Sequence, residues 1–480
     1  MLDSIMLSLY NTLTKKIEPI ESKPNQPIRV YSCGPTVYNN AHIGNLRSFV
    51  HADTIVRVLQ ASGQSVRWVM NITDIDDKTI AGAIDRFGKS ATVDQLKQYT
   101  QQYTDIFMAD LQKISIATDQ IHVVPISEKV PAMGIFINAL IEKGYAYTTE
   151  TGDVYFNIKK YDEDFHDYGA LVGKQFLEGQ KIGIRVSHDE YDKKTLSDFA
   201  LWKAHDPATE GAIAWSVDKL VPGRPGWHIE CSVVNHEVFE GHATDIHTGG
   251  VDLIFPHHTN EIAQAQPIYK PFVHTWCHSE HLLVDNRKMS KSANNFYTLA
   301  DIEKKGFDPI ALRYLMATTH YRSKINFTWE ALGAAQNALQ SLRQKYYALS
   351  EPGENTEKDT HDIAVFLETV EDDMNLPSAL ALTWEYIKPE HISQHKKTLI
   401  KKCADILGLS IEAQKLKKEK IPAEIMSTIH RLIEKRTSAR QEKKYAEADA
   451  LRKEIDILLQ QFQAELVDRP DGSSIITQQL

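Results

Sequence analysis

Hydrophobic and polar positions change period several times along the chain, and each change predicts a different kind of element. Ile28 to Ser32 is a short apolar run, which predicts a strand, and it leads into the turn Cys33-Gly34-Pro35-Thr36. After the loop at His42 the apolar positions fall at helical spacing, which predicts a helix of about four turns through Leu59. A second strand is expected over Ser65 to Met70. Strand, glycine-bearing loop, helix and strand in this order begin a nucleotide-binding α/β unit, with the ligand at the carboxyl ends of the strands.

Between Pro131 and Val221 the pattern shifts to a helix ending near Gly144, then Val154-Tyr155-Phe156 and other short β pieces rich in Asp, Lys and Gly. The α/β alternation resumes at Gly226-Trp227-His228-Ile229-Glu230-Cys231, read as a strand. It continues through Asp245-Ile246-His247 and Val273-His274-Thr275-Trp276. An α/β fold split by an insertion is the economical reading. From Asp308 the periodicity is helical, with Ala331 to Leu349 as one long helix and Ser350 to Thr360 as a loop between helices. The charged run Lys415 to Lys420 before Pro422 marks a boundary, and Ala423 to Gln463 reads as a charged helical hairpin. No internal repeat is evident. The division expected is 1–130, an insertion over 131–221, 222–285, 286–325, a helical bundle over 326–415, and 416–480.

Composition narrows the class. At 480 residues the chain exceeds one compact core. Its 42% apolar and 25% charged residues are those of an ordinary water-soluble protein. With 64 acidic against 54 basic residues, the net charge of −10 argues against indiscriminate nucleic-acid coating but leaves room for a local basic groove. No run approaches a membrane span, and Met1 to Tyr10 lacks the basic start of a signal peptide. Four cysteines, Cys33, Cys231, Cys277 and Cys403, are too few for a disulfide framework. They suit a reducing cytoplasm with buried or metal-binding thiols.

Candidate chemistry begins with Lys288-Met289-Ser290-Lys291-Ser292. Two ammonium groups three residues apart among small hydroxyls suit the charge that develops on departing pyrophosphate, although such a stretch alone is usually a solvated loop. His42 stands at a predicted helix start, where free backbone N–H groups favour an anion, and Gly44 permits close approach of a nucleotide. His247-Thr248-Gly249-Gly250-Val251-Asp252 reads as a glycine turn after a strand, with Asp252 placed to accept from ribose hydroxyls. His257 and Glu261, four apart, would share one helix face. Asn71 to Lys78 holds three carboxylates and reads as a solvated turn or a magnesium site. Trp227 reads equally well as a core residue.

Ala41-His42-Ile43-Gly44-Asn45 together with Lys288 to Ser292 resembles the two signatures of class I aminoacyl-tRNA synthetases. The string Gly223 to Cys231 and the stretch from Asn11-Thr12-Leu13-Thr14 to about Gly472 resemble cysteinyl-tRNA synthetases in particular. The resemblance implies a Rossmann-type α/β catalytic domain split by a connective insertion, followed by a helical bundle and a small C-terminal anticodon-binding domain. It implies one Zn2+ per chain on Cys33, Cys231, His257 and Glu261, and Mg2+ with ATP. His42, Asn45, Lys288 and Lys291 would be catalytic. ATP would also meet Gly44, Asp252 and Ser290, and the cysteine substrate would meet Gly34, Thr73 and Trp227. Where the family usually has a second histidine this chain has Asn45, which can donate a hydrogen bond but carries no charge. Arg440, Tyr445, Asp449 and Asp468 match residues that address the anticodon.

The activity so implied is ATP-dependent activation of L-cysteine to cysteinyl-adenylate and transfer to tRNA(Cys), by a cytoplasmic monomer with no membrane contact. Zinc gives such a site a chemical means of telling sulfur from oxygen, which size and hydrogen bonding separate poorly. Two other readings are disfavoured, because the stretch Ala423 to Gly472, both lysines and all four presumed ligands are present. A ligase joining cysteine to an amino sugar would share both ATP motifs but lack the tail after Ala423. A non-catalytic RNA-binding regulator could claim Asn45 as a lost catalytic group.

Overall fold

The computed structural model describes residues 6–173, 181–182, 195–196, 198–289, 295–350, 357–390, 395–412, 421–442, 444–460, 464–468 and 474–478. The chain opens with an antiparallel hairpin, β1 (Ser8–Asn11) and β2 (Lys16–Pro19). There follow β3 (Ile28–Ser32), helix α1 (Ile43–Ala61), β4 (Val66–Ile72) and β5 (Ile121–Pro125). The segment after β5 carries β6 (Ala146–Thr148), β7 (Val154–Phe156), the short pair β8 (Lys181–Ile182) and β9 (Thr195–Leu196), then β10 (Ala200–Ala204) and β11 (Gly223–Pro225). The main sheet resumes with β12 (Thr244–Gly250) and β13 (Val273–Ser279).

The main sheet has strand order β13-β12-β3-β4-β5, parallel throughout. All five residues of β3 are buried, which explains its unbroken apolar run: a central parallel strand is covered on both faces. Because β4 and β5 build outward on one side of β3 and β12 and β13 on the other, the strand order reverses between β3 and β12. The crevice at their carboxyl ends is the topological switch point where such sheets bind ligands. Cys33 follows β3 and Gly250 ends β12, so both face that crevice.

The insertion forms its own antiparallel sheet, β11-β10-β7-β6. After β13 a three-stranded sheet joins β14 (Leu282–Val284), β15 (Arg287–Lys288) and β16 (Ile325–Phe327), with β14 central. Helices then run over Pro309–Ala317, Trp329–Ala348, Glu357–Glu371, Leu376–Tyr386 and Lys396–Leu407. The contacts divide the chain into Met1–Ile411 and Glu412–Leu480. Within the second unit, helices Ala423–Gln441 and Tyr445–Gln460 pack through Ile429, Leu432, Ile455 and Leu459. Its hairpin of β17 (Ala464–Asp468) and β18 (Ser474–Gln478) adds Leu466 to that core.

Several local expectations are corrected. Only Gly223–Pro225 of the glycine-rich string is strand; Trp227–Val238 is a helix, so Cys231 lies on its second turn. Gly249 and Gly250 belong to β12 rather than to a turn. The Glu357–Glu371 helix begins inside the stretch read as a loop to Thr360. The strands β16, β17 and β18 interrupt or follow regions read as purely helical, because short strands leave too few residues for a period to show.

Candidate active site and metal centre

At the carboxyl end of β3 the chain must turn hard against β4. A Cβ on Gly34 would lie 1.6 Å from the Asn71 carbonyl oxygen, so only glycine fits. The Gly34 N–H donates to Asn71 Oδ1 at 2.8 Å, which fixes the turn that presents Cys33. Asn71 in turn donates to Thr73 Oγ1 at 3.2 Å, and Thr73 donates to Glu230 Oε2 at 2.9 Å. Glu230 is buried on the helix that carries Trp227 and Cys231. The expected substrate residues Gly34 and Thr73 are thus joined by Asn71, and Thr73 to Glu230; neither Asn71 nor Glu230 was singled out from sequence.

Cys33, Cys231, His257 and Glu261 converge, all buried, with their ligand atoms within 4.8 Å of one another. The two Sγ atoms are 3.4 Å apart, His257 Nε2 is 3.3 Å from Cys231 Sγ and 3.1 Å from Glu261 Oε1, and Cys33 Sγ is 3.8 Å from the same oxygen. Tetrahedral zinc with ordinary bond lengths separates its donors by roughly 3.3–3.8 Å, so the set fits that ion in spacing and in chemistry. His257 belongs to an irregular turn, Ile254–His258, and Glu261 to the helix Thr259–Ala265 that follows it.

A second set, Cys33, His247, His258 and Glu261, shares two members with the first, so both describe one cavity. His247 Nε2 meets Glu261 Oε2 at 2.9 Å, His258 Nε2 lies 3.3 Å from Cys33 Sγ, and His228 Nδ1 lies 3.1 Å from His257 Nδ1. Beyond His258 stand His278 at 2.7 Å and then Thr12, also at 2.7 Å. Such partners orient the groups that face an ion. The sequence did not mark His228, His247, His258 and His278 as partners of the cluster, because they lie in four separate segments. Trp227 stacks on the His257 ring with centroids 4.4 Å apart, a contact that makes it a wall of this cavity.

Burial governs the protonation of the cluster. It lowers His257 and His258, holding both imidazoles neutral and able to ligate. Burial and the adjacent Cys231 push the Cys33 thiol well up. Burial opposes ionisation of Cys231 as well, but the hydrogen bond with Cys33 and the charge of His247 outweigh it, so its thiol is lowered. Removed from water, the four donors are at their most stable around a cation.

The expected ATP residues begin on the first turn of α1. His42 is the N-cap: its Nδ1 accepts the Asn45 N–H at 3.2 Å, while Asn45 Oδ1 accepts the His42 N–H at 3.2 Å. Because Nδ1 accepts in this reciprocal box, the neutral His42 ring carries its proton on Nε2. Burial lowers His42, with Asp252 and Lys288 as opposing charged neighbours. Asp252 lies in the turn Val251–Leu253, and Lys288 is exposed at the end of β15. A Cβ on Gly44 would come within 2.4 Å of Met289 Cε, so the glycine lets the lysine hairpin approach the helix. Ser290 and Lys291 lie outside the described residues.

In the Glu412–Leu480 unit, Arg440 lies in the last turn of one helix and Tyr445 begins the next, with Asp449 one turn later; all three are exposed, Tyr445 by 62%. Asp468 ends β17. Among the described residues no helix is long and apolar enough to cross a membrane.

Comparison with known proteins adds three findings. Residues 19–337 match the catalytic-domain family of class I (C) tRNA synthetases. The cysteine–tRNA ligase of Chlamydia felis is 40% identical over 469 residues, covering 94% of each chain, and that of Protochlamydia amoebophila is 38% identical over 471 residues with the same coverage. In fold, the chain is similar to the Mycobacterium tuberculosis methionyl-tRNA synthetase in complex with methionyl-adenylate, at a TM-score of 0.56 and 13% identity over 81% of this chain and 92% of that one.

Proposed function

The chain belongs to the cysteine–tRNA ligases of the class I aminoacyl-tRNA synthetases, and on that premise we propose that it activates L-cysteine with ATP and passes the cysteinyl group to the 3′ end of tRNA(Cys). The observation that carries the choice of amino acid is the buried set Cys33, Cys231, His257 and Glu261 at the switch point of the sheet. These residues would hold one zinc ion. When bound, zinc supplies a soft Lewis acid that prefers a thiolate to a hydroxyl.

The residues around it bind and orient. Trp227 shields the thiol side from water, and Gly34 and Thr73 line the place of the amino-acid backbone. In the first step the cysteine carboxylate attacks the α-phosphorus, a P–O bond forms, and the bond to pyrophosphate breaks, with its electrons leaving on that group. No covalent enzyme nucleophile is required; charge placement is sufficient. His42 donates from Nε2 to the phosphates, Gly44 permits their approach, Asp252 accepts from the ribose, and Lys288 and Lys291 neutralise the departing pyrophosphate while Ser290 donates a hydrogen bond to the nucleotide, with Mg2+ accompanying ATP. In the second step a terminal ribose hydroxyl attacks the carbonyl carbon and AMP leaves.

Asn45 does its work through His42 rather than as a charged phosphate ligand, which accounts for an amide at a position where the family usually has histidine. Arg440, Tyr445, Asp449 and Asp468 would read unstacked anticodon bases, for which the exposed Tyr445 ring offers a stacking face. The protein would act as a cytoplasmic monomer. Cysteine-dependent ATP–pyrophosphate exchange, with serine run in parallel, tests the proposal. Exchange with cysteine but not serine is expected, and equal exchange with both would overturn the zinc-based selection.

A further inference from the structure

Arg47 lies on the second turn of α1, only 4% exposed, one turn below the His42 cap. Its guanidinium collects main-chain carbonyls from two distant junctions. Nη1 donates to Glu280 and His281, both at 2.8 Å. Nη2 donates to Ser323 at 2.7 Å, His320 at 3.3 Å and Tyr321 at 3.4 Å. The first junction is where β13 leaves the main sheet to become β14. The second is the approach to β16, which pairs with β14 in parallel. The two junctions also bond each other, through Glu280 N–H to Tyr321 O at 2.8 Å and Ile325 N–H to His281 O at 3.2 Å.

The strand on the other edge of β14 is β15, which ends in Lys288. One buried fork therefore ties the root of the lysine-bearing sheet to the helix whose first residue is capped by His42. Burial lowers Arg47 to about 10, so it stays charged at neutral pH and keeps every donor. We propose that Arg47 is a positioning residue that sets the spacing between His42 and Lys288 across the phosphate site. The planar five-donor guanidinium spans both junctions, a geometry that a compact ammonium does not reproduce. Met289 already touches the first turn at Gly44, so a shift of the hairpin moves Lys288 relative to His42. The proposal rests on the reading of Lys288 given above.

The test is ATP–pyrophosphate exchange by the zinc-loaded full chain carrying Arg47→Lys, Lys288→Ala or both. Arg47→Lys should lower kcat on the order of 100-fold, with KM for cysteine within about twofold and zinc content unchanged. Lys288→Ala should cost more than about tenfold in the wild-type background but less than about threefold beside Arg47→Lys, since a misplaced lysine has little left to lose. Multiplicative losses in the double variant, or a raised KM for cysteine with kcat retained, would overturn the proposal alone. Unchanged exchange in Lys288→Ala would overturn the reading of Lys288 and the proposal with it. Arg47→Gln serves as a second variant. If neither Arg47 variant keeps native circular dichroism and zinc content, Arg47 supports the fold rather than the spacing, and the proposal falls.

Discussion

A single atom decides what Asn45 does. Its Oδ1 receives the His42 N–H, so Asn45→Asp, which keeps an oxygen there, should leave the thermal midpoint near wild type while raising KM for ATP by electrostatic repulsion. Asn45→Ala should lower kcat severalfold in exchange, and full activity in that variant would refute a cap-dependent His42. Cys231→Ser should lose bound zinc by metal analysis, because a hydroxyl replaces one of two thiolates in the set.

Buried histidines also make stability depend on pH. His51 stacks on Tyr321 and is held down to about 3 by burial, with Arg47 and His320 adding to the effect. Its folded value lies below the roughly 6.5 of an unfolded chain, so its stabilising effect is complete above pH 6.5. As pH falls from 6.5 towards 3, the unfolded chain takes up a proton that the folded chain refuses, and stability drops by up to about 1.4 kcal/mol per pH unit. His51→Phe keeps the stacking ring and should reduce that slope by one proton in denaturant titrations between pH 6.5 and 5; an unchanged slope would refute the assignment.

Among the elements, α1 packs against strands β3, β4, β12, β13 and β14 and two bundle helices. Besides Arg47 it carries Asp53, which pairs with the fully buried Arg313 of the Pro309–Ala317 helix and accepts from Arg57 Nε at 2.7 Å. Arg313 also donates to Leu407 O at 2.8 Å, the last residue of another bundle helix. Gly408, at φ +69°, follows it, and a Cβ there would sit 2.1 Å from the guanidinium carbon. Asp53→Ala leaves a buried cation without its carboxylate and should cost about 3–5 kcal/mol in chemical denaturation. A change under about 1 kcal/mol would show that Arg313 is held by carbonyls alone. The sequence showed α1 as a helix because its apolar period is long and its cap distinctive. Nothing local in the sequence pairs Asp53 with Arg313, since 260 residues separate them.

For the whole molecule, the division at Ile411 puts the Cys33 cluster and His42 in one unit and the exposed Arg440, Tyr445 and Asp449 in the other. A chain ending at Ile411 should retain cysteine-dependent pyrophosphate exchange and lose most tRNA(Cys) charging. Unchanged charging would discard the anticodon role of the second unit. The sequence by itself determined the strand–loop–helix start and, through the resemblance of the His42 and Lys288 motifs and of the string Gly223 to Cys231, the family, because these signals reside in contiguous residues. The resemblance had already put Cys33 with Cys231; only the tertiary structure surrounded them with His228, His247, His258 and His278, and brought Arg47 to two chain junctions. Those contacts join segments far apart in the chain, and chain folding in space carries no local period for a sequence to display.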